Sequence, residues 1–236
     1  MKSTNINEQL LEMQKKWFEE FCNDELAKQH NLSRPFCFSV TEQYLLSNNK
    51  AMLIGQEPLD WGNYSGKWSI DGNQMFSKEY AEIQLNYKNP NENILYNSSP
   101  FWRFFRGIKD KGWEPIWNNV DKIHRYEKDE TKSLTIDLER RFSSPFGNDN
   151  KSLLKREIEV SKPNLVIFLT GPSYYKTMAW AMGIDCDELL KFKPQKKKPC
   201  TDITHIVDIG IPVLWSYHPA YLSRIKAMDE VYDMCK

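Results

Sequence analysis

The chain has 236 residues, which is enough for one large domain or two small ones. The chain has 32 lysine and arginine residues and 32 aspartate and glutamate residues, so no overall electrostatic field draws it to nucleic acid or to a membrane. Hydrophobic residues make up 40% of the chain, too many for a disordered protein. No apolar run is long enough to span a membrane, and the polar first residues predict no secretory signal.

Cysteine usage indicates the compartment. The five cysteines are an odd number at wide spacings, and none of them forms a Cys-x-x-Cys pair. This pattern is typical of reduced thiols, and it argues against a disulfide framework or a zinc site. We therefore expect a cytoplasmic enzyme or binding domain.

The first thirty residues have a helical pattern. Leu10, Met13 and Trp17 recur at three- and four-residue steps, as the buried face of an amphipathic helix does. We expect residues 1–45 to form a helical extension that packs on a domain spanning residues 46–236.

Four short apolar runs follow, at residues 51–54, 115–120, 165–169 and 211–215. Continuous apolar runs without alternation are typical of strands that are buried on both faces of a sheet. The second run, which contains two asparagines, is the most polar of the four.

Helical patterns at residues 100–109, 150–161 and 173–182 separate these runs. Strands that alternate with helices pair in parallel through right-handed crossovers. We therefore predict the α/β class, with three α/β/α layers around a central four-stranded parallel sheet. Ligands of such sheets bind at the carboxyl ends of the strands.

Two loops at those carboxyl ends carry reactive side chains. The first run is followed by Gln56 and Glu57, and the fourth by His218 ahead of a proline. A carboxylate and an imidazole that face one crevice form a candidate acid/base pair. Taken separately, the first loop is equally consistent with a plain turn, and His218 with a hydrogen-bonded core histidine.

Together with three further segments, these loops resemble the uracil-DNA glycosylase superfamily. Residues 55–60 read GQEPLD, which is similar to GQDPYH and GEAPG in two branches of that family. Residues 218–224 read HPAYLSR, which is similar to the family's HPSPLS. The segments WNNVDK (117–122), PNLVIFLTG (163–171) and SPFWR (99–103) also resemble family segments, and all five occur in the family's order.

The resemblance implies a uracil-DNA glycosylase-like fold and hydrolysis of the N-glycosidic bond to uracil or a related deaminated base that is flipped out of DNA. In this interpretation Glu57 positions water and stabilises the positive sugar, and His218 donates a hydrogen bond to the departing base oxygen. Asn119 reads the base, because its side chain both donates and accepts. The other base-binding residues implied are Gln56, Leu59 and Trp61.

The resemblance also implies a DNA contact surface after His218. Leu222 would enter the space that the base vacates, Ser223 would hold a phosphate, and Tyr221 and Arg224 would add contacts. The implied protein is a monomer whose partner is DNA and which needs neither metal nor cofactor. The aromatic residue that stacks on the base stays open among Trp61, Tyr64, Trp68 and Phe76.

Departures from the family pattern keep other functions open. Glu57 is one methylene longer than the aspartate in GQDPYH, Leu59 stands where that motif has a tyrosine that excludes thymine, and Ala220 replaces a phosphate-binding serine. One alternative is a non-catalytic nucleic-acid- or protein-binding module on the same fold, and another is a hydrolase of nucleosides or nucleotides.

A run of lysines allows two interpretations. It is either a solvated loop, as charge runs usually are, or a strip that follows DNA phosphates. The lysines concerned are Lys191, Lys193, Lys196, Lys197 and Lys198.

Overall fold

The computed structural model of the protein describes residues 5–58, 69–86, 99–127 and 130–235. The strands are β1 Lys50–Gly55, β2 Glu114–Asn119, β3 Arg125–Glu127, β4 Glu130–Lys132, β5 Leu165–Phe168, β6 Cys200–Asp202 and β7 Val213–Ser216. The helices are α1 Ile6–Phe21, α2 Glu25–Lys28, α3 Glu42–Leu46, α4 Ile70–Asn86, α5 Pro100–Asp110, α6 Ile136–Ser143, α7 Leu153–Ser161, α8 Tyr175–Met182, α9 Cys186–Leu190, α10 Thr204–Val207, α11 Pro219–Ile225 and α12 Met228–Asp233, and a 3-10 turn spans Pro172–Tyr174.

The main sheet has the order β2-β1-β5-β7-β6. The four predicted strands all form and all pair in parallel, so this part of the fold prediction is confirmed. The sheet has a fifth strand, β6, which runs antiparallel to β7 at one edge and was not predicted. Its three residues, Cys200–Asp202, are too few and too polar to stand out as an apolar run.

Side chains from alternate positions of the strands enter two separate cores. Met52 and Ile54 lie in the core that α1, α7 and α8 cover, whereas Ala51 and Leu53 lie in the core that α5, α11 and α12 cover. Successive strand residues point to opposite faces, so a strand covered on both sides has no polar face. The sheet is therefore the middle layer of three.

The N-terminal helical pattern is interrupted, in contrast to the prediction. Helix α1 begins after Asn5, which forms a capping box with Glu8, and it ends at Phe21. The side chain of Asp24 then accepts a hydrogen bond from the Leu26 amide at 2.9 Å and begins the separate helix α2. Trp17 packs on Phe142 of α6 at a ring distance of 5.8 Å.

A buried polar network fixes the end of β2. The Lys122 ammonium lies 2.6 Å from Glu157 Oε2 of α7, and both side chains are almost completely buried. Asn118 Nδ2 donates to the same carboxylate oxygen at 3.0 Å, and Gln14 Nε2 of α1 donates to the other at 2.9 Å. Two helices are thus tied to the strand that delivers Asn119 to the sheet edge.

Candidate functional site

Gln56 joins the ends of three strands. Its backbone oxygen accepts the Asp121 amide at 2.9 Å, just after β2. Its side-chain amide donates to the Thr170 oxygen, just after β5, at 2.7 Å. Gln56, which the sequence predicts to bind the base, therefore connects the strand ends through its side chain as well as through its backbone.

His218 reaches the same edge from β7. The amide of Gly171 donates to the Ser216 oxygen at 2.9 Å, and a Cβ atom on Gly171 would lie 3.6 Å from the His218 nitrogen. Gly171 has φ +70°, a conformation that glycine adopts without strain. The carboxyl ends of the four parallel strands thus meet around the segments that carry Gln56, Glu57, Asn119 and His218.

The local hydrogen bonding determines which ring nitrogen of His218 carries the proton. The residue caps α11, and its Nδ1 accepts the Ala220 amide at 3.2 Å. A nitrogen that accepts this bond carries no proton, so the neutral ring holds its proton on Nε2. Burial lowers the pKa of the imidazole below its ordinary value of 6.5, which favours this neutral form.

Asn119 is 2% exposed and its two amide atoms differ in their bonding. Its Oδ1 accepts the Trp117 indole N–H at 3.2 Å, whereas its buried Nδ2 has no hydrogen-bond partner in the described part of the chain. Buried donors are rarely left unpaired, so Nδ2 is a candidate for contact with a ligand acceptor.

Phe101 lies near His218 and near Gly55, against which Asn119 also lies, and it is not among the predicted stacking residues. Its ring is 6.4 Å from the His218 ring at an angle of 21°, and its Cε2 would lie 3.4 Å from a Cβ atom on Gly55. The sequence signal was the SPFWR segment, in which Phe101 follows the helix-starting Ser99 and Pro100. In the sequence that segment contributes to the family resemblance and assigns Phe101 no role of its own.

Glu57 contacts the loop ahead of α6. Its Oε1 accepts the Ser133 hydroxyl at 3.3 Å, and its buried Oε2 has no partner within the described residues. Burial raises the pKa of the Glu57 carboxyl, and the bond from Ser133 acts in the opposite direction.

Asp121, which the sequence reasoning overlooked, lies beside Glu57. It is 1% exposed, and neither carboxyl oxygen has a well-formed hydrogen bond among the described residues. Burial, and then the charges of Glu139 and Glu57, raise the pKa of this carboxyl well above its ordinary value, while Lys122 and the Tyr174 hydroxyl lower it in part. The protonated acid is therefore favoured next to the Glu57 carboxylate.

The residues that are predicted to contact DNA differ in their exposure and in their partners. Leu222 is completely buried in the core on the α11 face of the sheet, so the structure does not place it where an inserting wedge would have to be. The Ser223 hydroxyl accepts a hydrogen bond from Arg103 at 2.9 Å. Arg224 is exposed, and the Tyr221 ring packs on Tyr217 at 4.4 Å.

Of the four stacking candidates, Phe76 is the one that lies within the described residues. Phe76 is 41% exposed on α4, where the Arg34 guanidinium lies 4.9 Å from its ring centre. The predicted base-contacting Leu59 and Trp61, and the alternatives Tyr64 and Trp68, lie outside the described residues.

In residues 5–58, 69–86, 99–127 and 130–235, no group of three His, Cys, Asp or Glu side chains is arranged to hold a metal ion. None of the helices in that part of the chain combines the length and the apolar character that crossing a membrane requires.

Comparison with known proteins adds no assignment. No family model matches the chain, and no curated protein matches it. The functional interpretation therefore depends on the motifs and on the geometry of the site.

Proposed function

We propose that the protein is a DNA glycosylase that hydrolyses the N-glycosidic bond of uracil or a related deaminated base. The observation that carries this proposal is that Phe101 and Asn119 both lie against Gly55, while the Phe101 ring is also stacked 6.4 Å from the His218 ring. An aromatic face, an unpaired amide donor and an imidazole are thereby gathered at the sheet edge, although they come from three different elements. A flipped base is recognised by stacking and by hydrogen bonds to its edge.

The bonding of Asn119 supports selectivity for deaminated bases. Because its Oδ1 already accepts from Trp117, the group of this side chain that still lacks a partner is the Nδ2 donor. Deamination replaces an amino donor by a carbonyl acceptor in uracil, hypoxanthine and xanthine. Cytosine and adenine would present a second donor to Nδ2, and a buried unpaired donor destabilises the complex.

The two candidate catalytic groups match the charges that develop in the reaction. The bond between the base nitrogen and the sugar breaks with its electron pair on the base, where the His218 Nε2–H donates to a ring carbonyl oxygen. The Glu57 carboxylate stabilises the positively charged sugar and orients a water. That water adds its hydroxyl to the sugar, and its proton balances the charge of the departing base.

A second candidate is supported by the burial of Leu222. Without an exposed wedge at this position, the protein is better suited to a base that is already unstacked. Such bases occur in single-stranded DNA and in free nucleosides, which need no flipping. We therefore expect faster release from single strands than from duplexes, with a nucleoside hydrolase as the alternative function.

The test is base release from oligonucleotides that contain uracil, hypoxanthine or xanthine, followed by alkaline cleavage at the abasic site. We expect His218→Ala to slow release by about 100-fold or more, which is the usual contribution of one catalytic group. His205→Ala, at an exposed position of helix α10, is the matched control and should leave the rate unchanged. Hydrolysis of deoxyuridine without release from any oligonucleotide would favour the nucleoside hydrolase, and no release from either would refute both.

A further inference from the structure

The antiparallel direction of β6 brings the lysine run to the candidate site. Because β6 runs opposite to β7, its first residue, Cys200, pairs with Ser216, the last residue of β7. One step further, the Tyr217 amide donates to the Pro199 oxygen at 3.2 Å. Lys198 precedes Pro199 and His218 follows Tyr217, so the lysine run adjoins the strand end that carries His218.

The lysines are presented on a hydrogen-bonded turn. The amide of Gln195 donates to the Lys198 oxygen, and the Lys198 amide donates back to the Gln195 oxygen, each at 2.9 Å. Lys196 and Lys197 form the tip between them, and all three lysines are exposed. The backbone of this turn is thus fixed before any ligand binds, which reduces the entropy that binding must remove.

Helix α11 carries further positive charge directly after His218. On this helix Arg224 is exposed, and Ser223 accepts a hydrogen bond from Arg103 of α5. Lys198 also acts on Asp202 of β6, whose pKa is lowered mainly by hydrogen bonds from Thr204. Both segments that adjoin His218, the turn before β6 and α11, therefore carry cationic side chains.

We propose that the turn at residues 195–198 binds the phosphate backbone of a nucleic acid beside His218. This proposal names the surface that would hold the DNA in the proposed function, and it rests on that function only for the choice of DNA as the partner. Lysine ammonium groups bind phosphates as point charges and release the counterions that surround the nucleic acid. The zero net charge of the whole chain is compatible with such a local basic edge.

The test compares two double variants that each remove two positive charges. Lys196→Gln with Lys197→Gln changes the tip of the turn. Lys111→Gln with Lys162→Asn changes two exposed lysines that follow α5 and α7. They precede β2 and β5, at the amino ends of the parallel strands, which is the end of the sheet opposite the candidate site. Both pairs are exposed, so folding should be retained, and circular dichroism checks this.

The measurement is the affinity for a uracil-free single-stranded oligonucleotide at several salt concentrations. Log affinity falls as log salt rises, and this negative slope should become less steep by about 1.4 in the tip variant, since each lost phosphate contact contributes about 0.7. The variant with Lys111→Gln and Lys162→Asn should keep the slope of the unaltered protein. Equal slopes in all three proteins, or equal reductions in both variants, would overturn the proposal. Because this probe contains no cleavable base, the result is independent of whether the protein releases uracil.

Discussion

The side-chain oxygen of Asn119 occupies the space that a Cβ atom on residue 55 would need, at 2.5 Å from that position. Phe101 limits the same space from another side. Gly55 is therefore required by the placement of two side chains rather than by its own backbone angles, since its φ is not positive. The close approach keeps the Asn119 amide against the end of β1.

Gly55→Ala should disrupt the site more than the fold. The added methyl displaces the Asn119 amide, and a displacement of about 1 Å in a catalytic constellation lowers the rate by about 100-fold. Gly72→Ala on α4, where the nearest atom is the Ser69 hydroxyl at 3.2 Å, is the control and should leave base release unchanged. The measurement is single-turnover base release beside thermal unfolding, and an unchanged rate in Gly55→Ala would remove Asn119 from the site.

The bond from Ser133 to Glu57 predicts a shift in the pH profile. This bond lowers the pKa of the Glu57 carboxyl, so Ser133→Ala should raise that pKa. In the proposed reaction the carboxylate is the active form, so the rate should begin to fall at a higher pH in the variant as acid is added. Base release measured from pH 4 to 9 tests this, with an identical acid limb as the contradicting result.

Glu57→Gln should abolish that acid limb and slow base release by about 100-fold or more at neutral pH, because the amide carries no charge to stabilise the sugar. Ser133→Ala should lower the neutral-pH rate by at most about 10-fold, the contribution of one hydrogen bond. A Glu57→Gln rate equal to that of the unaltered protein would exclude the carboxylate from the reaction.

Asp121 predicts how stability depends on pH. Its pKa is raised on folding, so the folded state holds a proton that the unfolded state has lost, and stability falls as the pH rises above the ordinary value of 3.8. Glu57 and Glu139 face it and act in the same direction, while Lys122 and Tyr174 oppose them. Asp121→Asn, which resembles the protonated acid, should therefore lose less stability between pH 5 and 8.

Thermal unfolding at the two pH values measures this effect. Asp137→Asn, an exposed substitution of the same kind in the first turn of α6, is the control and should behave as the unaltered protein does. If Asp121→Asn follows the same pH dependence as the control, the buried carboxyl is ionised in the folded protein.

The ion pair between Lys122 and Glu157 should be required for stability. Replacing Lys122 by Met leaves an unpaired carboxylate in the core, which costs about 3–5 kcal/mol of unfolding free energy. The double variant with Glu157→Met should recover part of that loss, because it leaves no buried charge. Urea unfolding of the three proteins decides this, and additive losses would show that the pair is uncoupled.

Much of the sheet could be predicted, because strands buried on both faces leave continuous apolar runs. The run at residues 165–169 contains no polar residue to suggest any other structure. Strand β6 could not be predicted in this way, since its pairing depends on the long-range register with β7 rather than on its own composition.

The candidate site could be predicted only where its residues belong to motifs. Gln56 and His218 follow recognisable strands, whereas Phe101 is one aromatic residue among many that an amphipathic helix requires. Distance along the chain from His218 does not reveal which face of α11 carries Leu222. The helix directs it into the core.

Trp117 and Asn119 are two positions apart on one strand, and their side chains therefore share a face. The indole N–H donates to the amide oxygen and so fixes which way the amide points. In the proposed function that bond orients the Nδ2 donor toward the base, so a tryptophan that need not touch the substrate would contribute to substrate choice. A chain that carried phenylalanine at this position would free the amide to rotate, and its spectrum of accepted bases would widen.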